Sequence, residues 1–400
     1  MAYVPPQEIL DKYADVLVNH ALNSGKGVKA KEVVQIQVPE CAKPLLISLY
    51  KAVLKAGAYP ISQLVADGMG RMMFEHCSDD QLCFFPDKYC RGIVDQVDHS
   101  ISIIAETNKK ELEGISPSKI MMRQKAYGKF RDWRVEKENA GKFTWTLAMY
   151  ATEAMAKEVG MSLEEYWEQI ILACYLDHPN PVEKWKEIMT TVEELTNKLD
   201  ALQIEKLHIK SENTDLIVGL GKNRKWMGGT GRNIPSFEVF ISPDWRMTEG
   251  HIQFTEPLYR YGNLITGARL EFKDGKVIKA TAKTGEDILK QMIAAENADK
   301  IGEFSLTDSR LSRITKFMGE TLFDENVGGE NGNTHIAVGS AYKDSYPGDP
   351  SKITKEQWQE MGYNDSVVHT DIVSTENRIV TAYLPDGTTK VIYKDGKFTV

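Results

Sequence analysis

What most constrains the fold of this chain is a change of pattern near residue 205. Before it, apolar segments of strand and helix periodicity alternate. VVQIQV (33–38) reads as a buried strand, CAKPLLISLYKAVLKAGA (41–58) as a helix ending near Gly57, and YPISQLVA as the next strand. Strand, helix and strand in succession make a crossover unit, which predicts parallel strands with helices on the faces. SISIIAE near 100–106 adds a further strand. After residue 205 the punctuation is different. Asp274-Gly275, Asp386-Gly387 and Asp395-Gly396 each separate two alternating strand-like runs, and Asp-Gly supplies the positive φ angles of tight antiparallel hairpins.

The start of the chain and the stretch from about 150 to 203 that joins the two patterns are helical. Ile9, Leu10, Tyr13, Val16, Leu17 and Ala21 give an amphipathic opening helix, and Ser162 with Glu165 forms a capping box ahead of a periodic run. Pro181 suits a first helical turn and leads VEKWKEIMTTVEELTNKLDAL, which ends near 203. The expected organisation is an α/β domain with parallel strands and a helical extension over 1–205. An α+β, mainly antiparallel domain follows over 206–400. A length of 400 residues agrees with two cores rather than one.

A net charge of −8 argues against nucleic acid as the main partner. The local exception is SKIMMRQKAYGKFRDWRVEK, where Lys119, Arg123, Lys125, Lys129, Arg131 and Arg134 interleave with Tyr127, Phe130 and Trp133. A solvated helix face or a subunit contact accounts for it better than a single-strand platform. No stretch approaches the ~20 apolar residues of a membrane span. No basic segment followed by an apolar core marks a secretory signal. Five cysteines, without close pairing, suit a reducing compartment, so a cytoplasmic protein without a membrane partner is expected. His76, Cys77, Cys83 and Cys90 cluster in HCSDDQLCFFPDKYC. They offer zinc ligands in principle but lack a CxxC pair, and buried apolar thiols explain them as well. GLGK (219–222) and GGTGR (228–232) lack the full spacing of a phosphate loop and read as tight turns.

The chemistry lies in the second half. In HTD (369–371) a strand would point His369 and Asp371 to one face. That face is either solvated or charged inward, and inward charge demands a partner or a metal. Glu238 in FEVF, Glu303 in GEFSL and His335 in NTHIAVGSAY are individually weak signals. Tyr342 follows His335 by seven residues; that spacing shares a helical face, although Gly339 would interrupt a helix. Together, three carboxylates and two imidazoles make a sensible set for two divalent cations roughly 3.5–4 Å apart bridged by a carboxylate.

These segments resemble the thermophilic-type metalloaminopeptidases, peptidase family M29. The likeness runs through the βα-type opening, EKWKEIMTTVEELTNKLDAL, the TDL strand, NIPSFEVF, GEFSL, TLFDEN, HIAVGSAY and SVVHTDIV. It implies an α/β N-terminal domain, a metal-bearing C-terminal domain and a homodimer enclosing the sites. It implies that Glu238 and His335 complete one metal, His369 and Asp371 the other, and that Glu303 bridges them. The metals would be zinc, cobalt or manganese. Tyr342 would help stabilise the tetrahedral intermediate, with Glu303 also counted in the catalytic set. The implied reaction removes the N-terminal residue of short peptides through metal-bound hydroxide. A dipeptidase or amidase with the same ligands, or a peptide-binding protein with little turnover, are the alternatives. Two departures from the family stand out. Phe237 precedes Glu238 where glycine is common, and VGGENGNT lengthens the link to His335 into an extended, flexible approach.

Overall fold

A computed structural model describes residues 3–400. The chain divides into two compact units: the residues up to Glu187 with Thr230–Ser236, and Ile188–Gly229 with Phe237–Val400. The division falls inside the long helix rather than at the change of sequence pattern.

The first unit is built on a parallel sheet. Its strands are β1 (Val33–Pro39), β2 (Tyr59–Val65), β3 (His99–Ile104) and β4 (Thr144–Met149), in the order β2-β1-β3-β4. All of the pairings are parallel, as the crossover pattern requires. Helix α1 (Gln7–Val16) buries Leu10, Tyr13 and Val16, and α2 (Lys43–Lys55) buries Leu45, Leu49 and Val53. The basic-aromatic stretch forms α3 (Pro117–Ala126) and α4 (Gly128–Asn139). Its cations lie over its own rings, Arg123 over Tyr127 at 4.2 Å and Lys129 over Trp133 at 4.9 Å, which uses the pairs a nucleic acid would need. The capping box at Ser162 and Glu165 starts α5 (Leu163–Ala173), and Pro181 opens α6 (Pro181–Ala201). Among the described residues no helix is long and apolar enough to cross a membrane.

The second unit holds two larger antiparallel sheets. One runs β13-β12-β9-β6-β5-β17-β18-β19. Its strands are β5 (Lys206–Lys210), β6 (Asp215–Gly219), β9 (Thr248–Gln253), β12 (Arg269–Lys273), β13 (Lys276–Thr281), β17 (Ile379–Tyr383), β18 (Thr389–Lys394) and β19 (Lys397–Phe398). The three Asp-Gly pairs join β12 to β13, β17 to β18 and β18 to β19. At Asp274-Gly275 and Asp395-Gly396 both residues have positive φ, 49° and 77° in the first pair, the backbone of a hairpin turn matched to strand twist. A short ribbon of β10 (Leu258–Arg260) and β11 (Asn263–Ile265) is inserted after β9.

The other sheet runs β16-β15-β14-β8-β7. It comprises β7 (Met227–Gly228), β8 (Glu238–Ile241), β14 (Ile301–Thr307), β15 (Asn333–Gly339) and β16 (His369–Ser374). Every residue of β14 and β15 is buried, so polar groups on these two strands sit inside the protein and must be matched there.

Candidate metal centre

Register alone brings the five sequence-picked residues to one face. Ser305 pairs with both His335 and Phe240, Thr307 with Glu238, Ala337 with Asp371, and Gly339 with His369. Side chains alternate along each strand, and directly paired residues share a face. Glu238, Glu303, His335, His369 and Asp371 therefore project to the same side. Glu303 pairs with Ala337 in the same unbroken register as Ser305 with His335, and the pairing shifts only beyond it, between Ile301 and Glu303.

The side chains converge. His335 Nε2 lies 3.3 Å from Glu238 Oε2 and 3.3 Å from Glu303 Oε1. His369 Nε2 lies 3.7 Å from Glu303 Oε2 and 3.5 Å from Asp371 Oδ1. Glu238, Glu303 and His335 form one group whose ligand atoms all lie within 4.8 Å of one another; Glu303, His369 and Asp371 form the other. Glu303 is common to both, with one oxygen turned to each imidazole. His369 Nδ1 is 2.8 Å from the Ser340 carbonyl oxygen. Donating that proton leaves Nε2 with its lone pair toward the carboxylates, the arrangement of a metal-ligating histidine.

The electrostatics fit a cation. Burial raises the Glu303 carboxyl to about 7, with the charges of Glu238 and Asp371 adding to it against the hydrogen bond with His335. Burial would lower His335, but the hydrogen bonds with Glu238 and Glu303 and the charge of Asp371 hold its imidazole well above the ordinary range. Burial would likewise lower His369, yet Asp371 and Glu303 lift it to about 9. Burial would raise Asp371, and the His369 charge brings it down to about 2. Protons on the imidazoles thus supply the positive charge that the carboxylates demand. Asp371 Oδ1 is buried and accepts no hydrogen bond, an orphan that a cation would satisfy. A set of carboxylates and imidazoles with this geometry fits divalent metal.

Tyr342 reaches the site by a different route from the helical spacing. His335 is on a strand, and β15 ends at Gly339, whose φ is 104° and where a Cβ would lie 2.0 Å from the Val368 carbonyl oxygen. Only glycine allows that turn. Beyond it the Tyr342 N–H donates to Ser242 Oγ at 2.9 Å. Its ring stands edge-on to His369 at 4.8 Å and tilts against Phe240 at 5.9 Å.

Glu325 is a residue that sequence reasoning missed. It follows the short helix α7 (Thr321–Asp324), and Asp324, Glu325 and Asn326 are all buried. Burial raises the Glu325 carboxyl well above the ordinary range, and the charges of Asp371, Glu238 and Glu303 raise it further, which places it beside the cluster. Asn326 Oδ1 accepts the Phe237 N–H at 2.6 Å, while Asn333 Nδ2 donates to the carbonyl oxygens of Glu325 and Val327. These bonds hold the lengthened 327–334 link at both ends and leave Gly329 and Glu330 exposed. Phe237 does not fill the site. Alternation sends its side chain opposite to Glu238, where it is fully buried. His76, Cys77, Cys83 and Cys90 form no ligand group among the described residues, and their thiols are free.

A buried cluster of this kind on a sheet face is built to hold divalent metal, the equipment of metal-dependent hydrolases. The family profile described as thermophilic metalloprotease (M29) matches residues 6–398, and the chain belongs to that family. It is 29% identical to aminopeptidase PepS of Streptococcus thermophilus, with 98% of each chain covered. It is 28% identical to aminopeptidase T of Thermus thermophilus, again over 98% of each. The solved structure of wild-type AmpT from Thermus thermophilus superposes with a TM-score of 0.84 at 24% identity, covering 98% of this chain and 100% of that one. That likeness establishes the fold.

Proposed function

We propose that this metalloaminopeptidase removes the N-terminal residue of short peptides with two divalent cations. Glu238, Glu303 and His335 would hold one; Glu303, His369 and Asp371 would hold the other. The observation that carries this reading is Glu303, whose two oxygens face two imidazoles 3.3 Å and 3.7 Å away. Carboxylates with imidazoles accept zinc, cobalt or manganese, and supply in the cell decides among them. When bound, such a pair polarises the scissile carbonyl and lowers the pKa of water.

The remaining work falls to the chain itself. Ser340 fixes the ring of His369, and Ser242 fixes the backbone of Tyr342. The Tyr342 phenol would donate to the carbonyl oxygen as negative charge builds on it. Glu325 would take the proton released by the attacking water onto its carboxylate and pass it to the departing amide nitrogen. The free cysteines support a cytoplasmic setting. A homodimer enclosing the sites would restrict substrates to short peptides.

The test combines elemental analysis with two reporters, a leucyl anilide and its N-acetyl form. Two ions per chain and chelator-sensitive cleavage of the free amine alone are expected. One ion per chain, or equal cleavage of the blocked reporter, would overturn the reading.

A further inference from the structure

The underside of the catalytic sheet carries a second cavity, of about 610 Å³, a size ordinary for small-molecule sites. Leu199, Ile204, Leu220, Trp226 and Ile241 line its apolar part. Ile241 pairs with Phe304 on β14, so both point away from the face that carries Glu303. The Trp226 ring meets that of Phe304 edge-on at 6.5 Å. The cavity is therefore separated from the metal cluster by the sheet itself. Leu220, Gly221 and Lys222 of the glycine-rich GLGK segment also line it. Gly221 has a φ of 78°, and a Cβ there would lie 2.8 Å from Asp244 Cβ, so this turn is closed by packing.

Charged groups of both signs complete the lining. Asp200 stands at the end of α6 and accepts the Trp226 N–H at 2.8 Å. Burial raises its carboxyl above the ordinary range, against the Trp226 N–H and the charge of Lys225, which favour the anion. Glu205 and Lys222 line the same cavity and are exposed, and Arg224 lines it with its guanidinium held by the carbonyl oxygens of Lys222, Ser242 and Met361. An apolar floor flanked by carboxylates and an ammonium matches a zwitterion with an apolar side chain.

We propose that this cavity is a second site for a hydrophobic L-amino acid, its ammonium taken by Asp200 and its carboxylate by Lys222. The choice of ligand rests on the aminopeptidase reading, since such an amino acid is that reaction's product. Calorimetric titration of L-leucine into the full metal-loaded chain tests it without using turnover. Saturable binding is expected, at least about tenfold weaker in Asp200→Asn and weakened in Lys222→Ala. Asp200→Asn keeps an oxygen for the Trp226 N–H, and an unchanged thermal unfolding midpoint shows that it folds. Binding should persist in Glu303→Gln, and N-acetyl-L-leucine should bind at least about tenfold more weakly than L-leucine. Absence of saturable binding, equal binding by Asp200→Asn, equal binding of N-acetyl-L-leucine, or loss in Glu303→Gln with Asp200→Asn unaffected would each overturn it. Failure of the aminopeptidase reading would show instead in the reporter assay, with the titration unaffected.

Discussion

Two buried histidines in this protein have opposite surroundings. His99, at the start of β3 in the parallel sheet, is 4% exposed and fully matched. Its Nδ1 lies 2.7 Å from Thr144 Oγ1 and its Nε2 2.9 Å from Glu32 Oε2. One hydroxyl and one carboxylate satisfy one ring, and the group is complete. His335, on β15 of the antiparallel sheet, is wholly buried. Its Nε2 faces Glu238, Glu303 and Asp371 within 4.0 Å, while Nδ1 has no hydrogen-bond partner. The two imidazoles of this cluster balance its three carboxylates only by holding protons, charge that a bound cation would replace. Burial of a histidine says little about its role; the balance of charge around it says much more.

The contrast breaks most sharply at Glu303. Glu303→Gln keeps the size of the side chain and removes the anion shared by both triples. Bound metal should fall from two ions to one or none, and turnover should drop by about 10³-fold or more. Near-normal kcat with two ions in that variant would remove Glu303 from the bridging role.

The next largest effect is expected at Tyr342. Tyr342→Phe leaves the ring edge-on against His369 and removes only the hydroxyl. A fall of about 10²–10³-fold in kcat with metal content unchanged is the expected outcome, the size found for single oxyanion donors. Loss of metal in this variant would instead make Tyr342 part of the cation's surroundings.

What the sequence disclosed about these residues follows the range of the interactions. The Asp-Gly hairpins were legible because a turn's φ angles are a local property of two residues. The parallel strands were legible because a crossover needs a helix between them. His369 and Asp371 were legible as a pair through strand alternation, but not as partners of Glu238. That link depends on β8, β14, β15 and β16 lying in one register, which no local pattern specifies. For the ligand set, resemblance to a family did what periodicity could not. Glu325 stayed hidden because an acid just past a short helix ordinarily faces water. Here Asn326 and Asn333 tie its backbone inward through bonds to Phe237, Glu325 and Val327. The helical spacing of His335 and Tyr342 misled for a similar reason. Seven buried residues of β15 form a strand whose end is set by contact between Gly339 and Val368, a contact across 29 positions of sequence.

The pH dependence of metal binding sharpens the comparison at smaller scale. In the metal-free chain His369 is held at about 9 and His335 well above its ordinary value. Both imidazoles are therefore protonated near neutrality, and an arriving cation must displace those protons. Lowering the pH favours the proton, so apparent metal affinity should fall as pH falls, with the share due to His369 ending above about 9. The slope should be about tenfold per pH unit for each proton displaced. Competition titrations with cobalt between about pH 6 and 9 would measure it. A flat profile over that range would mean that the imidazoles are not held in their charged form.

The smallest functional effect should come from the other histidine. His99→Ala removes a ring that bridges Glu32 and Thr144, but neither partner is left bare. Thr144 Oγ1 still accepts the Asn23 N–H, and Glu32 still accepts the Lys29 N–H. The cost should therefore be limited to about 1–3 kcal/mol of stability in the parallel-sheet unit, read as a lower denaturant midpoint. Metal content and kcat per folded molecule should match the parent. A folded His99→Ala chain that had lost metal or turnover would show that the matched histidine also serves the reaction, and the distinction drawn from charge balance would fail.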